Sequence, residues 1–235
     1  MKTKWIILVL IGAALLAACT PAAPAETGTG AASTPESVDA QATDAASVNA
    51  APASAPDLFG LTYVREEEKL ARDVYLFLYE RWGAEVFNNI AASEQAHTDT
   101  IKSLLVVYGL PDPAVDLQPG QFADPALQAL YDQLTAQGSQ SLSDAFKVGA
   151  AVEEIDILDL QARLAGDLPD DIRLAYENLL SGSYNHLSAF TSALLRQTGE
   201  TYVPQYMTAE AYQEALSLAV TGGNGGGGGS GGGRP

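Results

Sequence analysis

The chain has 235 residues, with 29 acidic side chains against 12 basic ones and a formal charge of −17. So acidic a balance speaks against nucleic acid or anionic lipid as a binding surface, because both repel it. The single cysteine, Cys19, excludes an internal disulfide in any redox compartment.

Lys2 and Lys4 precede an apolar run from Trp5 to Leu16, followed by Ala17-Ala18-Cys19. Residues 1–18 read as a secretory signal peptide, too short and wrongly flanked for a stable membrane span. The ending Leu16-Ala17-Ala18-Cys19 resembles the bacterial lipobox. That resemblance implies cleavage before Cys19 and lipid on its sulfur and on the new N-terminus, with several acyl chains together making a firm anchor. The expected location is extracytoplasmic, lipid-anchored to the cell membrane or envelope. Cleavage would remove two lysines and no acid, so the mature chain would be more acidic still. Residues 19–56, rich in Ala, Pro and Thr, bury too little apolar surface to fold and read as a disordered tether. Residues 57–221 have the size of one helical domain. Residues 222–235 are a Gly-rich, disordered tail.

Within the domain, long segments repeat with helical period and prolines and glycines gather between them. The first helix is expected over about 61–82, with the stripe Leu61, Val64, Glu68, Ala71, Tyr75, Leu78 and Trp82. Glu66 and Glu67 adjoin Glu68, but the heptad selects Glu68 as the inward residue. The second, about 84–108, carries Phe87, Ile90, Glu94, His97, Ile101, Leu104 and Tyr108, and stops at Gly109 and Pro111. A long connection, about 110–140, contains a short helix over 125–137. It is long enough to carry the chain from one end of a bundle to the other. The third long helix, about 141–164, has Glu153 and Asp156 within an apolar stripe, and Glu153 fits that stripe better than Glu154 does. Asp159 falls off the stripe and is expected in solvent. The fourth, about 169–197, starts at Pro169 and carries Ser183 and His186 between Leu179 and Phe190. A last short helix is expected over about 209–218.

Four stripes therefore share one design, apolar at both ends and polar in the middle. The polar layer holds Glu68, Glu94, His97, Glu153, Asp156, Ser183 and His186, which include both histidines of the chain. Four ionised carboxylates in a dry core are costly unless paired, and no lysine or arginine lies on these stripes near mid-helix. Bound cations relieve the cost directly. Carboxylate oxygen and imidazole nitrogen suit iron, manganese or zinc.

These residues resemble the ligand pattern of the ferritin-like superfamily, rubrerythrin in particular. The resemblance is carried by "REEEKLARDVY" with Glu68 and Tyr75, "FNNIAASEQAH" with Glu94 and His97, Glu153-Glu-Ile-Asp156, and "GSYNHL" with His186. It is closer still to an uncharacterised group of prokaryotic ferritin-like proteins. It covers about residues 60–197 and implies an all-α, ferritin-like four-helix bundle with a long crossover between the second and third long helices. It implies that Glu68 is a terminal ligand of one metal, that Glu94 bridges, and that His97 binds the first metal. Glu153 and His186 would bind the second, and Asp156 lies where rubrerythrin has an optional carboxylate. Tyr75 would donate a hydrogen bond from behind the ligands. The implied cofactor is iron, two ions if the centre is dinuclear, with manganese or zinc as alternatives.

Ser183 departs from the pattern, standing where the family has a bridging glutamate. Asp156 swinging in, a water, or a single metal are the alternatives that follow. The implied function is metal binding with redox activity toward oxygen, peroxide or ferrous iron, of peroxidase or ferroxidase type. The alternatives are a non-catalytic metal-binding or sensing lipoprotein and a metal-free interaction module. The expected partners are the membrane, through lipidated Cys19, and at most a second copy of the chain in a homodimer, with no nucleic acid. The sequence names no electron donor.

Overall fold

A computed structural model of the protein describes residues 60–222. The segments expected to be a signal peptide and a tether, with Cys19, and the residues beyond 222 lie outside the described residues. The described residues are all-helical and contain no strand. The elements are α1 (Leu61–Trp82), α2 (Glu85–Val107), α3 (Pro125–Gly138), α4 (Leu142–Leu164), α5 (Asp170–Thr198) and α6 (Ala209–Gly222). None of these helices is long and apolar enough to cross a membrane.

Local chemistry sets the boundaries. Gly83 and Gly199 end α1 and α5 in the left-handed conformation, where a Cβ is costly. Asp124 caps α3 by accepting from the N–H groups of Ala126 and Leu127, with Pro125 in the first turn. Ser141 caps α4 by accepting from Asp144 N–H. α6 runs on past residue 218, because no breaker intervenes and Ala215 and Ala219 are both buried.

α1 packs chiefly on α2 and α4 chiefly on α5, and the two pairs meet through α1 with α4 and α2 with α5. Tyr75 of α1 reaches Gly149 and Glu153 of α4, while Gly60 at the start of α1 lies against Arg163 at the end of α4. These two helices are therefore antiparallel. α1 is antiparallel to α2 as well, since Arg65 meets Thr98 and Tyr79 meets Glu85. α2 and α4 thus run the same way, and the connection through α3 carries the chain from one end of these helices to the other.

Two apolar clusters fill the interior. One contains Val74, Phe87, Phe146, Leu187 and Phe190. The other contains Leu61, Val64, Ile101, Leu105, Leu160, Ile172 and Leu179. Glu68 on α1, and Glu94 and His97 on α2, fall in sequence between the members of one cluster and those of the other.

The stripe of α1 understates its burial. Arg65, Glu66, Glu67, Lys69 and Asp73 are buried along with Glu68, because the connection after α2 folds back over the outer face. Lys69 Nζ donates to Asp73 (2.6 Å) and to the carbonyls of Gln118 and Gln121 (3.0 Å each). Arg65 pairs with Asp112 at 3.2 Å, and Glu66 accepts from Ala123 and Asp124 N–H. Asp159, expected in solvent, is partly exposed and pairs with Arg163 one turn on.

Candidate metal centre

Glu94 organises the polar layer from α2. Its Oε2 lies 2.9 Å from His97 Nδ1, one turn along the same helix. Its Oε1 lies 2.7 Å from His186 Nδ1 on α5. Glu68 from α1 completes the first side, with Oε2 3.1 Å from His97 Nδ1. Glu153 from α4 approaches the second, with Oε2 3.6 Å from His186 Nδ1. Two donor groups result, Glu68–Glu94–His97 and Glu94–Glu153–His186, and within each the ligand atoms lie within 4.8 Å of one another. The imidazole rings are 5.7 Å apart between centroids. Every member is buried except His97, which is half-buried.

Surrounding groups hold these side chains. Tyr75, fully buried, donates its hydroxyl to Glu153 Oε1 at 2.5 Å. Ser93 Oγ lies 3.1 Å from His186 Nε2, which leaves Nδ1 for the carboxylates. Gly182 makes room for His97, since a Cβ there would sit 2.6 Å from His97 Cε1 and 2.7 Å from Nε2. Glu154, the neighbour of Glu153, points the other way. It accepts from the N–H groups of Gln205, Tyr206 and Met207 and ties down the chain before α6.

Asp156 belongs to neither donor group. Ser183 donates to its Oδ2 and also to Leu179 carbonyl (3.0 Å), while Asp156 Oδ1 has no hydrogen-bond partner.

The electrostatics follow from dense burial of like charge. Burial opposes charge on His97, but hydrogen bonds to Glu68 and Glu94 and the charges of both prevail, raising the imidazole to about 11. His186 is lifted against burial to about 10 by Glu153 and Glu94. Burial would raise Glu94 too, yet His186 and His97 hold it far below the usual carboxylate range. Burial, then the charge of Asp156, push Glu68 well up. Burial and the charges of Glu153 and Glu94 raise Asp156 to about 7.

The donor set fits a cation on two grounds. Glu68 Oε1 and His186 Nδ1 are buried without a hydrogen bond; the 2.7 Å contact of His186 Nδ1 with Glu94 is close but poorly aligned for one. Oxygen and imidazole donors at this spacing also match the preferences of iron, manganese and zinc.

Sequence patterning singled out Glu68, Glu94, His97, Glu153 and His186, and these five come together here. It missed Ser93 and Gly182. Neither lies on an apolar stripe, and a helical Ser or Gly carries no signal of what faces it.

Fold and site together define a helical protein with a buried carboxylate–imidazole cluster able to hold metal. The chain belongs to the family described as "Uncharacterized protein domain (DUF2202)", which matches residues 57–219. It is 45% identical over 172 residues to the uncharacterized protein MJ0754 of Methanocaldococcus jannaschii, covering 73% of this chain and 92% of that one. It is also similar to a crystal structure of hypothetical protein MJ0754 from Methanococcus jannaschii. That match has a TM-score of 0.65 and 47% identity, and covers 67% of this chain and 90% of the other.

Proposed function

We propose that this domain is a ferritin-like four-helix metalloprotein with a dinuclear carboxylate–histidine centre that uses iron. The observation that carries the reading is the placement of Glu94, which presents one oxygen to each of two buried imidazoles. Glu68 and His97 would hold one ion, Glu153 and His186 the other, and Glu94 would bridge them. Such a metal pair, when bound, supplies redox chemistry toward oxygen, peroxide or ferrous iron. The chain's own part is to hold the five donors in a dry layer. Tyr75 fixes Glu153, and Ser93 fixes His186. Manganese or zinc would suit the same donors.

On this reading the protein is an extracytoplasmic lipoprotein held at the membrane through Cys19. A tethered metal centre there suits handling of peroxide or metal ions at the envelope. A homodimer is compatible with this arrangement.

A second reading, metal binding without turnover, is favoured by one observation. Ser183 gives its hydroxyl to Asp156, so α5 contributes no bridging carboxylate. The test is anaerobic loading with ferrous iron, metal counting by mass spectrometry, and absorbance after exposure to oxygen or peroxide. Two ions per chain and an oxidant-dependent spectral change support the redox reading. Bound metal without spectral change supports the second reading. No uptake at stoichiometric iron overturns both.

A further inference from the structure

We infer that the two halves of the centre differ in how they exchange metal: the Glu68–Glu94–His97 half is the exchangeable one, opening to solvent at the α2–α5 seam beside Gly182, and the Glu94–Glu153–His186 half retains its ion. The inference rests on the dinuclear centre proposed above. His97 is the one half-buried donor, with 13% of its side chain exposed. The side chains of Glu68, Glu94 and Glu153 are 1%, 3% and 2% exposed. Both close contacts of His97 with carboxylates are made by Nδ1. Its outer edge, Cε1 and Nε2, lies against Gly182 of α5, where a Cβ would come within 2.6 and 2.7 Å. Gly182 is itself partly exposed, and the adjoining Ala96 and Ser181 are exposed. The outer edge of His97 is therefore covered by a residue without a side chain and bordered by small ones.

The second distinction lies in what holds the donors. Glu153 accepts the hydroxyl of Tyr75, whose ring is fully buried and packs 4.9 Å from Phe190 between centroids. His186 turns its outer nitrogen to Ser93, 3.1 Å away. Both donors of that half are thus fixed by groups that do not bind metal. His97, by contrast, is hydrogen-bonded to Glu68 and Glu94, which are themselves donors. Glu68 Oε1 has no hydrogen-bond partner among the described residues. A ligand leaves a metal ion when its side chain turns away and water takes its place. Outer partners resist the turn, and burial keeps the water out. The His97 side lacks the outer partners, and solvent reaches its ring. The ion held by Glu153 and His186 sits behind Tyr75 and Ser93. When metal becomes scarce, the His97 half empties first.

The experiment loads the full chain with two equivalents of cobalt(II), adds EDTA in large excess and follows the loss of cobalt absorbance by stopped flow. Bound metal is counted by mass spectrometry at intervals. Two phases of one ion each are expected, their rates separated by about tenfold or more. Ser93→Ala frees His186 and is expected to speed the slow phase about tenfold, the low end of what loss of an outer partner costs in metal affinity, with the fast phase unchanged. His97→Ala is expected to bind one ion and release it at the wild-type slow rate. Release of both wild-type ions in a single phase overturns the inference. So does an unchanged slow phase or an accelerated fast phase in Ser93→Ala, and so does loss of the slow ion in His97→Ala. Circular dichroism melts show whether each variant is folded. If His97→Ala is not, Ser93→Ala decides, since it removes one hydroxyl from a partly exposed position. A wild-type chain that takes up one ion overturns the dinuclear reading; the inference then requires that ion to survive His97→Ala, and its loss there overturns the inference too. Failure to bind cobalt at all overturns the metal centre itself, a result distinct from release in a single phase.

Discussion

Ser183 donates its hydroxyl to Asp156 across the α4–α5 interface. Ser183 therefore satisfies one oxygen of a buried acid. Ser183→Ala would leave both oxygens of Asp156 unpartnered. The expected cost is about 1–3 kcal/mol, the usual penalty for orphaning a buried polar group, with metal stoichiometry unchanged. Urea unfolding and metal counting on the same samples check both halves. A loss of bound metal would mean that Ser183 or Asp156 is itself a ligand.

Gly182 tests the placement of His97. A Cβ at this position would meet His97 Cε1 at 2.6 Å, closer than van der Waals contact allows. The ring must move, since the backbone of α5 is fixed by its neighbours. Gly182→Ala is expected to lower the affinity of the Glu68–Glu94–His97 side by tenfold or more while the helix content stays the same. Calorimetric metal titration would show one class of site weakened and the other kept. Equal affinity at both would show that His97 is not a ligand.

Tyr75 bears on the other side. Its hydroxyl donates to Glu153 Oε1 at 2.5 Å in a fully buried setting. Tyr75→Phe removes that donor without changing the packing of the ring against Phe190, whose centroid lies 4.9 Å away. The expected loss is about 1–2 kcal/mol of stability in the metal-free protein. The loss should shrink when metal is bound, because a coordinated carboxylate needs the donor less. Thermal melts of both forms, with and without metal, make the comparison.

The imidazoles predict a pH dependence. His97 and His186 bind protons more tightly in the folded protein, at about 11 and about 10, than at their ordinary value of 6.5. Their stabilisation is present in full below about 6.5 and is lost as pH rises through the folded values. Asp156, raised to about 7, acts in the same direction over the range below neutrality. The metal-free domain should therefore melt lower at pH 9.5 than at pH 6.5, by about 3 °C or more. Metal displaces those protons, so the loaded protein should show a flatter profile. A rise in melting temperature with pH in the metal-free form would contradict this charge arrangement.

The helices were legible because period and capping are local. Glycine at the ends of α1 and α5, Asp124 before Pro125, and Ser141 before α4 act within one turn. The five donors were legible for a related reason, since a charged residue interrupting an apolar stripe must face the interior with its neighbours. The remaining charges of α1 were not. Nothing near Arg65, Glu66 or Lys69 shows that residues 112–124 will fold back and cover them. The pairing of Asp159, which stays partly exposed, with Arg163 was not read from the stripe either.

By itself, then, the sequence determined which segments are helical and which polar residues each helix turns inward, because both follow from a period of 3.6 residues. Only the tertiary structure decided who meets whom. It gave Glu94 one histidine from its own helix and one from α5, set Ser183 against Asp156, and aimed Glu154 at a loop. Those pairings depend on the rotation and register of helices brought together from far apart in the chain. Close packing, rather than any local preference, fixes both.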